Sequence, residues 1–134
     1  TSGSKGLQMY VPLNTPGATH QGCADFALAV GQVAERQLPG RVTTVMAKAV
    51  RPGKVFVDWS QNAHHKTTIA PYSLRARPEP TVSTPVTWDE VAAIAAGELE
   101  GRFEAGHVLE RVAEHGDLFA EVLQVEQRLP NQLG

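Results

Sequence analysis

The sequence predicts a mixed α/β (α+β) protein. We expect a small mixed or antiparallel sheet packed against helices, followed in the chain by three short helices. Two stretches, 7–13 and 54–59, alternate apolar and polar residues with the period of a strand. Residues 22–38 carry apolar side chains at helical spacing. After residue 80 the chain changes from basic and strand-like to acidic and helical.

Four segments are predicted as strands. In the first, Leu7, Met9, Val11 and Leu13 alternate with polar or turn-forming residues. Residues 42–47 are rich in β-branched residues, and the turn signal Arg51-Pro52-Gly53 precedes 54–59, the clearest strand. Residues 66–70 are predicted as a short strand after a polar loop. The predicted strands are 7–13, 42–47, 54–59 and 66–70.

The helix over 22–38 ends at Pro39-Gly40, which cannot continue it. Prolines in 77–86 favour an extended connector. The three short helices then begin with a capping box, in which Thr87 and Glu90 satisfy each other's backbone N–H groups. The second helix covers about 103–115, and the third begins at Asp117 and ends at Pro130.

The charge of the chain is divided unevenly along its 134 residues. Residues 1–80 carry nine lysines and arginines against four acids, a net charge of +5, whereas residues 81–134 carry a net charge of −7. We therefore expect a basic, strand-rich part over 1–80 with an anionic partner, and an acidic helical part over 81–134. The alternative is that these charges only keep the protein soluble.

Other protein classes are disfavoured by the composition. No run of about 18 apolar residues predicts a membrane span, and no signal peptide opens the chain. The single cysteine, Cys23, allows no internal disulfide and fits a reducing cytoplasm. Its spacing from His64 and His65 is not that of a zinc site.

The opening Thr-Ser-Gly-Ser-Lys-Gly has the composition of a phosphate-binding loop, because glycines admit a close approach and hydroxyls and a lysine bind anions. It lacks the spacing of a Walker A motif, and a merely flexible polar loop is the alternative. Asp58 interrupts an apolar strand and is a candidate metal ligand, or else an exposed edge residue. Gln61 and Asn62 follow it and could orient a sugar or phosphate, or form a turn.

Arg75 and Arg77 lie two residues apart, so in an extended segment both point to one side. Paired guanidinium groups suit phosphate recognition, although both could simply be solvated. Arg77 and further cations could extend a basic surface toward nucleic acid, the others being Lys48, Arg51, Lys54 and Lys66.

Four segments in this order resemble the polymerase domain of bacterial DNA ligase D, a member of the archaeo-eukaryotic primase superfamily that acts in non-homologous end joining. They are Ser2-Gly3-Ser4-Lys5-Gly6-Leu7, then 54–62 (KVFVDWSQN), then 66–75 (KTTIAPYSLR), then Thr87-Trp88-Asp89-Glu90. The resemblance covers almost the whole chain. It implies the C-terminal half of a primase-polymerase fold.

The resemblance also implies roles for single residues. Ser2, Ser4 and Lys5 match the loop that holds the triphosphate and ribose of the incoming nucleotide, and Arg75 matches an arginine that grips the triphosphate. Asp58 matches the third catalytic aspartate, a ligand of the catalytic metal. Gln61 matches a polar position beside the nucleotide.

The implied reaction is template-directed nucleotidyl transfer, in which a primer 3′-hydroxyl attacks an α-phosphate with the help of two Mn²⁺ or Mg²⁺ ions. The implied substrates are NTPs or dNTPs and DNA ends. Further implied partners are a ligase domain and Ku. No membrane is involved, and the expected location is the cytoplasm, beside the nucleoid.

Two departures from the family pattern matter. Gln8 stands where the family usually has a histidine, so we predict weaker nucleotide binding. The family's Asp-x-Asp metal pair precedes the Ser-Gly-Ser-Lys loop, and no Asp-x-Asp occurs in residues 1–134. We therefore expect an N-terminal half to be supplied in cis or in trans, and the chain alone to be inactive. The alternative is a non-catalytic nucleotide- or nucleic-acid-binding remnant of a truncated or split gene.

Overall fold

The computed structural model describes residues 1–130 and groups them into two compact units. The first unit comprises Thr1–Asn14 and Ile69–Val125, and the second comprises Thr15–Thr68 with residues 126–130. The division predicted at residue 80 rests on the change of charge and stays a prediction. The two compact units follow a different division, in which backbone contacts group the opening loop with residues beyond 80.

The second unit packs one long helix, α1 (His20–Gln37), against a parallel pair of short strands, β1 (Val42–Thr43) and β2 (Val55–Phe56). Thr19 caps α1, because its hydroxyl accepts the N–H of Gly22. The helix matches the sequence prediction closely. The two strands are much shorter than the predicted 42–47 and 54–59, and their pairing is parallel.

The first unit contains an antiparallel pair, β3 (Leu74–Arg75) and β4 (Thr81–Val82). Two helices follow, α2 (Trp88–Ala96) and α3 (Ala105–His115). Phe103 lies between these helices and forms a bridge to Val82, whose N–H donates to the Phe103 carbonyl at 2.8 Å. Val82, Phe103 and Val108 form the small apolar core of this unit.

The α/β class is confirmed, and the small sheets are two separate strand pairs. Several local predictions are wrong. Residues 7–13 and 66–70 form no strand, because neither segment has a ladder partner within residues 1–130. The predicted connector 77–86 contains β4, and residues 81–84 are the most buried stretch of the first unit.

The capping box of α2 is present, with the Thr87 hydroxyl accepting the Glu90 N–H and the Glu90 carboxylate accepting the Thr87 N–H. The third predicted helix is only a 3₁₀ turn, Ala120–Leu123. Asp117 instead accepts the Phe119 N–H at 2.8 Å and the Tyr72 hydroxyl at 2.7 Å. In the part of the chain that the structure describes, no helix is long and apolar enough to cross a membrane.

Candidate nucleotide site

The loop of residues 1–6, here the SGSK loop, is folded by its own serine. The Ser2 N–H donates to the Gly6 carbonyl at 2.9 Å, and the Ser2 hydroxyl accepts the N–H groups of Ser4 and Gly6 at 3.3 and 3.4 Å. These bonds turn the chain within five residues and leave Lys5 exposed at the turn. The loop thus has a defined conformation.

Strand β4 and the residues that follow it anchor the SGSK loop. The Thr81 hydroxyl donates to the carbonyl of Gly3, and the Thr84 N–H donates to the carbonyl of Thr1 at 3.2 Å. Gly3 is buried and has φ +66°, a conformation that favours glycine. These contacts join residues about eighty positions apart in the chain, which no local sequence signal predicts.

Arg75 lies against the same loop. It is on β3, opposite Thr81 of β4, and a Cβ built on Gly3 would lie 2.9 Å from its Cγ. In the described residues, neither Arg75 nor Lys5 forms an ion pair with a carboxylate. The structure therefore brings Arg75 against the SGSK loop at Gly3, whereas Lys5 is exposed on the same loop.

Arg77 also contacts the loop, because its guanidinium donates to the Ser4 hydroxyl at 2.9 Å. Gln8 follows the loop, half-buried, and its side-chain oxygen accepts from the Tyr10 hydroxyl at 3.4 Å. The Tyr10 ring packs edge-on against Phe119 at 4.9 Å, and burial raises the pKa of the Tyr10 hydroxyl.

The turn into β3 is fixed by Tyr72. This residue has φ +64°, which is uncommon for a residue other than glycine, and its N–H donates to the Ser83 carbonyl. Burial and the hydrogen bond to Asp117 raise the pKa of the Tyr72 hydroxyl to about 12, and the same bond lowers the pKa of Asp117. Sequence reasoning missed this pair, whose members are 45 residues apart.

Asp58 belongs to the second unit and lies two residues after the end of β2. It is exposed, and its carboxylate accepts the Ser60 hydroxyl at 2.6 Å. Trp59 follows it and donates its indole N–H to the Thr44 carbonyl at 3.1 Å, which fixes the start of the 3₁₀ turn Trp59–Asn62. Gln61 lies in this turn and is exposed.

A divalent metal centre needs several hard oxygen ligands. Among residues 1–130, no three histidine, cysteine, aspartate or glutamate side chains lie close enough to hold a cation. Asp58 is a single carboxylate, so the described residues alone do not fit such a centre.

The remaining predicted cations are in the second unit. Lys48, Lys54 and Lys66 are exposed. Arg51 is different, because its guanidinium stacks 3.6 Å from the centre of the Phe56 ring and donates to the Met46 carbonyl. This engagement favours a packing role for Arg51 over a free basic contact.

The chain belongs to the family of LigD primase-polymerase domains, whose sequence model matches residues 1–119. It is 52% identical over 120 residues to the multifunctional non-homologous end joining protein LigD of Mycolicibacterium smegmatis, and 30% identical over 129 residues to the bifunctional LigD of Bacillus subtilis. These stretches cover 90% and 96% of the chain. They cover only 15% and 21% of the two relatives.

A solved structure of a ligase D polymerase domain also matches this chain. The chain is similar to the polymerase domain of Mycobacterium tuberculosis ligase D in complex with DNA, with a TM-score of 0.74 and 42% identity. The match covers 82% of this chain and 37% of that domain. The mixed fold expected from the resemblance is thereby confirmed.

Proposed function

We propose that this chain supplies the triphosphate-binding part of a template-directed nucleotidyltransferase of bacterial non-homologous end joining. One observation carries the proposal: the SGSK loop packs through Gly3 onto β3, beside Arg75. The substrates would be an NTP or dNTP and a DNA end, in keeping with a family whose solved relative is bound to DNA.

Charge and geometry support this use of the first unit. A triphosphate carries several negative charges, and its oxygens accept hydrogen bonds from hydroxyls, ammonium and guanidinium groups. Ser2, Ser4 and Lys5 offer the first two kinds within one turn, and Arg75 offers the third from a strand. Gln8 would add a neutral amide in place of the family's histidine.

The second unit would contribute to the metal and to DNA. Asp58 would be one ligand of Mn²⁺ or Mg²⁺, the others coming from beyond the described residues, and Gln61 would lie beside the nucleotide. The exposed Lys48, Lys54 and Lys66 would contact DNA phosphates. We place the protein in the cytoplasm with the nucleoid, alongside a ligase domain and Ku.

Equilibrium binding of a nucleoside triphosphate to the wild type and to two arginine variants tests the proposal. Arg75→Ala should lower affinity about tenfold or more, because a charge-assisted hydrogen bond is worth ~1.5–3 kcal/mol. The control Arg36→Ala removes the same charge from the exposed last turn of α1 and should change affinity less than about twofold. Equal affinities for the Arg75 variant and the wild type would contradict the proposal.

A non-catalytic nucleotide-binding protein is the second candidate. It differs from the first candidate in needing no metal centre, toward which Asp58 is the one ligand that the resemblance implies within this sequence. We expect residues 1–134 alone to bind triphosphate without extending a primer in Mn²⁺. Extension that appears when the remaining part of a LigD polymerase domain is added supports the enzyme, and binding without extension in that mixture supports the second candidate.

A further inference from the structure

The two arginines near the SGSK loop make different contacts. Arg75 lies beside Gly3 with its charge uncompensated in the described residues. Arg77 is half-buried, and its guanidinium donates to the Ser4 hydroxyl oxygen at 2.9 Å, across 73 positions of sequence. Within residues 1–130 no carboxylate forms an ion pair with Arg77, although Glu79 is two residues away.

This contact determines what the Ser4 hydroxyl can do. A hydroxyl has one proton to donate and two lone pairs that accept. Because a lone pair of Ser4 receives a guanidinium N–H, its own proton remains available to an anion, and donation from a cation polarises the O–H bond further. The arginine also restricts the rotation of the hydroxyl, so less freedom is lost when an anion binds.

We propose that Arg77 is a positioning residue that holds the Ser4 hydroxyl ready to donate to a phosphate oxygen of the triphosphate, rather than a DNA contact. The inference rests on the proposed triphosphate site and assigns that site a further residue. Arg77 also lines a groove together with Arg102, Glu104 and His107.

A double-mutant cycle tests the inference by titration with a nucleoside triphosphate. We expect Ser4→Ala and Arg77→Ala each to lower affinity about tenfold, as the loss of a charge-assisted bond should. The double variant should bind no more weakly than the weaker single variant, because Arg77 acts only through Ser4. The control Arg102→Ala removes another arginine from the same groove and should change affinity less than about twofold.

Each other outcome is informative. An additive, roughly hundredfold loss in the double variant would mean that Arg77 contacts the ligand independently, which overturns the inference and leaves the proposed function intact. Equal losses for a nucleoside without phosphates would indicate a purely structural role and would also overturn it. A wild type that binds no triphosphate would overturn both the inference and the proposed function.

Discussion

Gly3 is the residue on which the geometry of the candidate site depends most. A Cβ there would lie 2.9 Å from Cγ of Arg75 and 3.0 Å from the backbone of Val82 and Ser83, and φ is +66°. We expect Gly3→Ala to lower the free energy of unfolding by ~1–3 kcal/mol and to weaken triphosphate binding. Thermal unfolding and ligand titration measure the two effects.

Gly6 is the matched control for stability, because a Cβ there meets nothing within 4 Å. Gly6→Ala should leave the melting temperature nearly unchanged. If Gly3→Ala were as stable as Gly6→Ala, the close contact between the loop and β3 would be wrong.

Gln8 stands where the resemblance implies a histidine. A neutral amide binds phosphate only as a dipole, whereas a protonated imidazole adds a positive charge. We expect Gln8→His to strengthen triphosphate binding, and more at pH 6 than at pH 8, because the imidazole is protonated at the lower pH. Equal or weaker binding at both pH values would count against a role for this position.

Alanine substitutions at two helical glycines should change the stability of the protein in opposite directions, because only one of the glycines is tightly packed. On α1, a Cβ at Gly31 would lie 2.5 Å from Cγ2 of Thr44 and 3.1 Å from Cγ1 of Val57. On α3, Gly106 is exposed and has nothing within 4 Å. Gly31→Ala should destabilise the protein by ~1–3 kcal/mol despite the better helix propensity of alanine, whereas Gly106→Ala should stabilise it by ~0.5–1 kcal/mol. Chemical denaturation measures both changes, and a stabilised Gly31→Ala would contradict the packing of α1 on the strands.

Helix α2 should make the stability depend on pH. The N–H groups of both terminal guanidinium nitrogens of Arg111 donate to the Glu90 carboxylate. These bonds, together with the bond from the Thr87 N–H, lower the pKa of Glu90 below its ordinary value of 4.5. The stabilisation is therefore complete above about pH 4.5 and is lost as the pH falls through the lower, folded-state pKa. Glu90→Gln should reduce the loss of unfolding free energy between pH 5 and 3. If the unfolding free energy of Glu90→Gln depended on pH as that of the wild type does, the proposed contribution of the Glu90 carboxylate would be excluded.

Three of the four predicted helices, those that became α1, α2 and α3, were predictable from the sequence because their signals are local, whereas the helix predicted from Asp117 is only a 3₁₀ turn. The Thr87 and Glu90 pair needs only three residues of spacing, and its capping box is confirmed. Strands were predicted poorly, because the alternation over 7–13 cannot reveal whether a partner strand exists. Residues 81–84 were predicted as part of an extended connector but are buried, because they have partners distant in sequence, namely Phe103 and the SGSK loop.

Over the whole molecule, the residue types of the candidate site were predictable and their proximity was not. Lysine, serines and arginines in a known order point to phosphate, but the contact between Gly3 and Arg75 joins positions 72 residues apart in sequence. The roles of Arg51 and Arg77 illustrate the same limit. Charge alone predicted basic contacts, whereas Phe56 and Ser4 engage their guanidinium groups.

The central claim is that the SGSK loop and β3 together bind the triphosphate. The most direct measurement is a titration of the isotope-labelled chain with a nucleoside triphosphate, in which the NMR chemical shifts of the backbone amides are recorded at each ligand concentration. We predict saturable shifts concentrated in residues 1–6, Leu74–Arg75 and Arg77, and much smaller shifts with the unphosphorylated nucleoside. No saturable shifts, or shifts confined to α2 and α3, would contradict the claim.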